Sequence, residues 1–296
     1  MNHKVLLLLI ALVLSPPSPA AVTVLIHGFL GSNRSWLESG VIEQLAQHGY
    51  EWRGSYSPGP GKAVFVPIGS SPGPKPVYTV NLPSTAPIRL QADWLAAYLQ
   101  DIRRRQPGEP IVLVGHSAGG VVARAALVLN GVEGVTRLIT IAAPHLGTWR
   151  SIQALEALDD DDLFFIPIGR IKRWLIKRRL GGWLYYTLKA SRGVLYDLRP
   201  AVPGSFLYWL NRLPHPDIDY VSLIRSGTFY MPGDRIVPPF SQDMRLVPAI
   251  GKRARSYTTP AGHLLNPHDG AVLAWQLDHP KGESPSETAA DEPTVQ

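Results

Sequence analysis

The stretch IVLVGHSAGGVVARAAL, residues 111–127, decides the fold. Ile111–Val114 is a wholly apolar, largely β-branched run, the pattern of a strand buried on both faces of a sheet. Gly115-His116-Ser117-Ala118-Gly119 follows at once, and small apolar residues then continue at helical length from Val121 to Leu129. A strand that turns straight into a helix leaves little room, so glycines flank the one side chain that projects from the turn. That side chain is Ser117. The pattern Gly-x-Ser-x-Gly is weak alone, because the chain repeats it at Gly69-Ser70-Ser71-Pro72-Gly73. The second copy lies in Pro-rich sequence, and Pro72 carries no N–H beside its serine. A phosphate-cradling turn is the competing reading of residues 115–120. The Lys-Ser/Thr ending of such a loop and the glycine spacing of a dinucleotide site are both missing.

Other strands and helices alternate around this unit. Val22–Ile26 is a short apolar strand ending at His27-Gly28. Strands are also predicted at Val77–Leu82, Arg137–Ile141, Asp219–Ile224 and, more weakly, Arg255–Thr258. Helical spacing appears within 31–49, at Ile88, Ala92, Leu95, Leu99 and Ile102, and again around Val272–Leu277. The alternation implies an α/β architecture of about six mostly parallel strands flanked by helices. Residues 53–76 hold six prolines and five glycines and are expected to form a long loop. The segment 148–218 between the fourth and fifth of these strands is too long for a plain connection and reads as an inserted helical lid.

The 296 residues carry 29 Lys+Arg against 23 Asp+Glu, a net charge of +6, and no cysteine. Disulfides, thiolate metal sites and a cysteine nucleophile are therefore excluded. Residues 1–20 read as a signal peptide: Lys4, an apolar run from Val5 to Leu14, and Ser18-Pro19-Ala20 as the cleavage site. Ten apolar residues are too few to span a bilayer. The expectation is export to the periplasm or beyond, or retention by an uncleaved N-terminal anchor. Residues 21–280 then form the folded domain, and 281–296, which lack apolar periodicity, are expected to be a disordered tail.

A serine hydroxyl needs a base to take its proton, and a serine in such an elbow takes its acid and then its histidine from further along the chain. The best acid is Asp234, in MPGDRIVP, residues 231–238. Pro-Gly-Asp also favours a turn, so a purely local role is the alternative. The best base is His263, in TPAGHLL, residues 259–265, with His268 as competitor. An oxyanion needs N–H donors aimed at it. The backbone amides of Ala118, just after the serine, and of Phe29, in the loop after the first strand, fit that need. A simple tight turn is the other reading of His27-Gly28.

Taken together, VLIHGFLGS (24–32), VGHSAGGVVARAAL (114–127), LITIAAPHLGT (138–148), GDRIVP (233–238) and AGHLL (261–265) resemble the α/β-hydrolase fold. Within it they are similar to bacterial triacylglycerol lipases and the inositol-deacylase-like lipases. The resemblance implies nucleophile Ser117, acid Asp234, base His263 and oxyanion donors Phe29 and Ala118. It also implies a carboxylic ester hydrolase that needs no cofactor. Many relatives carry a disulfide and a calcium site near the histidine loop. Here cysteine is absent, and Asp269 and Asn266 form no convincing ligand set, so no metal is expected.

Residues 166–199 carry nine Lys+Arg and one acid, interleaved with apolar and aromatic residues. Arg170, Lys172, Arg173, Trp174, Lys177 and Trp183 are the candidate membrane-facing set. A basic amphipathic segment with aromatics suits an anionic lipid surface. Neutralisation by Glu156 and Asp159–Asp162 in a merely solvated face is the plainer reading. No nucleic-acid motif is present. The apolar lid favours lipid esters as substrates. An acyltransferase using the same three residues and a non-catalytic membrane-binding protein are the alternatives.

Overall fold

The computed structural model describes residues 21–68, 73–158, 182–228 and 231–279. Its strands are β1 (Val22–Ile26), β2 (Tyr50–Pro58), β3 (Ala63–Pro67), β4 (Lys75–Val80), β5 (Ile111–His116), β6 (Val135–Ile141), β7 (Asp219–Arg225), β8 (Gly227–Thr228), β9 (Met231–Pro232) and β10 (Ala254–Thr259). The helices are α1 (Ser35–Glu38), α2 (Val41–Gln47), α3 (Ile88–Arg105), α4 (Ala118–Leu129), α5 (Trp149–Leu158), α6 (Gly182–Ala190), α7 (Arg192–Asp197), α8 (Phe206–Leu210), α9 (Pro239–Gln242) and α10 (Pro267–Asp278).

The central sheet has the order β10-β7-β6-β5-β1-β4-β2-β3. Every neighbouring pair is parallel except β2 with β3, which is antiparallel. Strand alternation splits the core into two layers. Val22, Val24 and Ile26 of β1 face α3 and α4, together with Ile111 and Leu113 of β5. Leu25, Val112 and Val114 face the other way, against Trp36, Val41, Leu45 and Leu273 from α1, α2 and α10. Each face of the sheet is thus covered by helices, which is why these strands are continuously apolar rather than alternating.

The sheet has eight strands, not six. The two additional ones, β2 and β3, lie in the stretch expected to be a loop. Their prolines sit where a ladder hydrogen bond is not needed. Pro58 and Pro67 end strands, and Pro60 lies in the turn that Gly59 N–H closes onto Lys62 C=O at 3.0 Å. Pro76 comes one residue before β4 begins to pair with β1. Pro58, Pro60, Pro67 and Pro76 gave the segment a loop-like composition although β2 and β3 are extended. Strand β2 pairs with β4 on one side and β3 on the other, so β3 is the edge strand and has only one partner.

The described parts of the segment between β6 and β7 carry the helices α5, α6, α7 and α8, joined by loops. Leu155, Leu158 and Leu195 form a small cluster of their own, packed on Phe29 of the β1 loop. Asp197 at the end of α7 accepts the Ile88 N–H at 2.7 Å, capping the first turn of α3. Arg170, Lys172, Arg173, Trp174 and Lys177 lie outside the described residues, as do the signal segment, the tail and the Gly69–Pro72 part of the second Gly-x-Ser-x-Gly. Trp183 lies in α6 and is 77% exposed. Among the described residues, no helix is long and apolar enough to cross a membrane.

Candidate active site

Strand β5 ends at His116 and α4 begins at Ala118, so Ser117 alone makes the turn. Its backbone takes φ 52° and ψ −128°, a strained conformation for a residue with a side chain. The Ser117 N–H is held by Ile141 C=O at 2.8 Å, and its own carbonyl accepts Gly120 N–H at 3.0 Å. The flanking glycines are required by contact. A Cβ on Gly119 would lie 2.4 Å from the His27 carbonyl oxygen, and one on Gly115 would lie 2.5 Å from Gly120 Cα.

The three side chains expected from the sequence meet here. His263 Nε2 lies 2.9 Å from Ser117 Oγ, and His263 Nδ1 lies 2.7 Å from Asp234 Oδ2. They come from three separate strand ends: the elbow after β5, the loop after β7 and its β8–β9 hairpin, and the loop after β10. Parallel strands put these loops on the same carboxyl edge of the sheet. His268 is exposed in the first turn of α10 and takes no part. The turn reading of Asp234 and its site role are compatible. Oδ1 accepts the N–H of Ile236 at 2.8 Å and of Val237 at 3.1 Å, while Oδ2 faces the imidazole. Burial alone would raise the Asp234 pKa. The hydrogen bond and charge of His263 and the two amides outweigh burial and hold it below the ordinary carboxylate value.

The loop carrying His263 is clamped at both ends by one buried ion pair. Arg225 at the end of β7 donates two bonds of 2.7 Å to the Asp269 carboxylate and one of 2.9 Å to Thr259 Oγ1. Asp269 in turn accepts the Asn266 N–H at 2.9 Å. Bidentate geometry pairs the two charges where water cannot reach them.

Gly28 presses against the elbow, since a Cβ there would lie 2.8 Å from Ser117 Cβ. The next two amides are those of Phe29 and Leu30, and Leu30 has φ 58°. Neither the Phe29 N–H nor the Ala118 N–H has a hydrogen-bond partner among the described residues. Ala118 is the first residue of α4, where the amides and the helix dipole favour negative charge.

Three further residues complete the site, and sequence reasoning did not assign them. His27 accepts Leu82 N–H on Nε2 at 2.9 Å, so its proton is on Nδ1 and is donated to Gly28 C=O at 2.9 Å. His116 donates from Nε2 to the His263 carbonyl at 2.9 Å. Gln242 donates to Asp234 Oδ2 at 3.1 Å. His27 and His116 stood inside quoted motifs, but nothing local announced their partners. Gln242 lay in PPFSQ, residues 238–242, which carries no chemical signature.

Fold, strand order and the placement of these loops are those of an α/β-hydrolase. Residues 23–275 match the Alpha/beta hydrolase family, and the chain belongs to that family. Among solved structures it is similar to the lipase BlEst2 of Bacillus licheniformis in its mature form. That likeness has a TM-score of 0.59 at 18% identity and covers 89% of this chain and 94% of that one. It is similar also to the lin2722 product of Listeria innocua, with TM-score 0.57, 16% identity and coverage of 90% and 96%. The esterase PF2001 of Pyrococcus furiosus matches at TM-score 0.51 and 16% identity, covering 88% of this chain and 82% of that one. At such identities the likeness establishes the fold. No curated protein sequence is significantly similar to this chain.

Proposed function

We propose that the protein hydrolyses carboxylic esters through a serine-bound acyl intermediate. The observation that carries this reading is the continuous chain from Ser117 Oγ through His263 to Asp234, with steps of 2.9 and 2.7 Å. Ser117 Oγ attacks the ester carbonyl carbon as its proton passes to His263 Nε2. Asp234 keeps the Nδ1 proton in place and stabilises the imidazolium. The oxyanion rests on the Phe29 and Ala118 amides, both free of other partners among the described residues. The carbonyl–alkoxy bond then breaks, and His263 returns its proton to the departing alcohol. Water enters, loses a proton to His263, attacks the acyl carbon and releases the acid, restoring Ser117.

The substrate class follows from what surrounds the site. Leu30, Ile236 and Leu264 are solvent-exposed, and each lies within two positions of Phe29, Asp234 or His263. Exposed apolar side chains from three loops around one reactive serine suit an ester with an apolar acyl chain. The charge and aromatic content of the inserted segment adds attraction to anionic lipid surfaces, so lipid esters are the proposed substrates.

Nitrophenyl esters of graded acyl length, from acetyl upward, test the reading on the wild type and on Ser117→Ala. The wild type is expected to turn over the longer chains faster. The variant is expected to lose activity by at least about 10³-fold. A Ser117→Ala protein that hydrolyses these esters at the wild-type rate overturns the mechanism.

A further inference from the structure

Asp234 has two carboxylate oxygens, and only one can serve His263. Oδ1 is pinned by two backbone amides, while Oδ2 receives His263 Nδ1–H at 2.7 Å and the Gln242 side-chain amide at 3.1 Å. Gln242 ends the short helix α9 and is 1% exposed. All its hydrogen-bonding capacity facing the protein is committed. Oε1 accepts the Arg225 backbone N–H at 2.8 Å, and Nε2 donates to Val237 C=O at 2.7 Å as well as to Asp234.

These backbone partners settle which end of the amide is which. The Arg225 N–H needs an acceptor, and the Val237 carbonyl needs a donor, so the amide cannot flip. It therefore presents an N–H, never a lone pair, to Asp234. The preceding residue works on the other side of the site: Ser241 Oγ donates to Gly147 C=O at 2.6 Å, tying α9 to the loop after β6. Helix α9 is thereby fixed between the acid loop and the β6 loop, and Gln242 is held with it.

We infer that Gln242 is a positioning residue, whose amide locks the plane of the Asp234 carboxylate so that Oδ2 faces the imidazole. The inference rests on reading Ser117, His263 and Asp234 as the reacting groups. On this reading glutamine suits the position and glutamate, of nearly the same shape, does not. A carboxylate at 242 would set a lone pair against Asp234 Oδ2 and another against Val237 C=O. Two carboxylates so placed share a proton and titrate as a pair.

The test is steady-state hydrolysis of a nitrophenyl ester across the pH range by the full-length wild type, Gln242→Glu, Gln242→Asn and Ser117→Ala, with thermal melts to establish folding. Gln242→Asn keeps an amide but withdraws it by one methylene. It is expected to fold and to lose roughly 10- to 100-fold in kcat with KM little changed. Gln242→Glu is expected to show the same loss at neutral pH. Its pH–rate profile gains an ionisation absent from the wild type and from Gln242→Asn. A residue that only fills space would leave kcat and the profile as they are. If Gln242→Glu does not fold, the kcat-against-KM split of Gln242→Asn decides alone. Folded Gln242 variants with wild-type kcat and pH profile, alongside an inactive Ser117→Ala, overturn this inference and leave the serine mechanism standing. An active Ser117→Ala overturns both.

Discussion

The imidazole of His116 donates from Nε2 to the main-chain carbonyl of His263 at 2.9 Å, so the residue before the serine holds the backbone of the histidine that faces that serine. Burial pushes the His116 pKa down to about 3, helped by the nearby His263 charge, and the ring is neutral at any working pH. Replacing it by phenylalanine would leave a half-buried carbonyl without its donor and free the loop to drift. The expected result for His116→Phe is a loss of about 1–3 kcal/mol in stability. With it comes a fall in kcat larger than any rise in KM, since a small misplacement of a reacting group is costly. Thermal melts and steady-state kinetics check both parts, and an unchanged kcat would remove His116 from the site.

In the proposed mechanism His27 bears on the Phe29 amide, one of the two oxyanion donors. Its Nδ1–H holds the Gly28 carbonyl, and that carbonyl shares a trans peptide unit with the Phe29 N–H. In a planar trans unit the two groups point in opposite directions, so anchoring one aims the other. His27→Phe is expected to lower kcat by up to the effect of removing one oxyanion donor, about 10²–10³-fold. Comparable kcat in the variant would show that the loop holds its shape without the ring.

Acid should unfold the protein earlier than carboxylate titration alone would. His27, His116, His145 and His215 all have pKa values lowered by burial, to about 3 for His116 and about 4 for His215. Below the unfolded histidine value near 6.5, the unfolded chain therefore binds protons that the native state refuses. Stability is then full above about pH 6.5 and falls as pH drops toward each folded pKa, by up to about 1.4 kcal/mol per pH unit for each such histidine. Asp234 and Asp243, whose pKa values are depressed in the fold, add a further loss below 3.8. Melting temperatures at pH 8, 6 and 5 check the sign, and a flat profile from 8 to 5 contradicts it.

Arg124 of α4 is fully buried, and its described partners are neutral. It donates to His145 Nδ1 at 3.0 Å, His215 Nε2 at 3.3 Å and Asn211 Oδ1 at 2.5 Å. Burial lowers its pKa to about 9. The fork ties the elbow helix to the two ends of the inserted segment, just before α5 and just after α8. Lysine keeps the charge but cannot reach three acceptors in a fork, whereas methionine removes the charge along with the donors. Arg124→Lys is accordingly expected to be less stable than Arg124→Met, with both below the wild type by about 1–3 kcal/mol or more. Denaturant titration ranks them, and the reverse order would refute the account.

The basic stretch of the insertion predicts a lipid effect separable from chemistry. Neutralising Arg170, Lys172, Arg173 and Lys177 together is expected to weaken binding to anionic vesicles and reduce its salt sensitivity, with little effect on soluble short-chain esters. Vesicle co-sedimentation at low and high salt measures this. Binding equal to wild type favours a solvated surface neutralised by Glu156 and its acidic neighbours.

By itself, the sequence determined the elbow at Ser117, the alternation that makes a parallel sheet, and the loops bearing Asp234 and His263. Strand and helix periodicity and the glycines of a tight turn are local properties, so they can be read one segment at a time. The last two strands of the sheet, β2 and β3, were hidden because their prolines lie at ends and turns, where composition imitates a loop. Only the tertiary structure decided what His27, His116, Arg124 and Gln242 do. A buried polar side chain takes its role from whichever donor or acceptor packing brings within 3 Å or so. For His116 that partner is 147 residues away, beyond the reach of any local pattern.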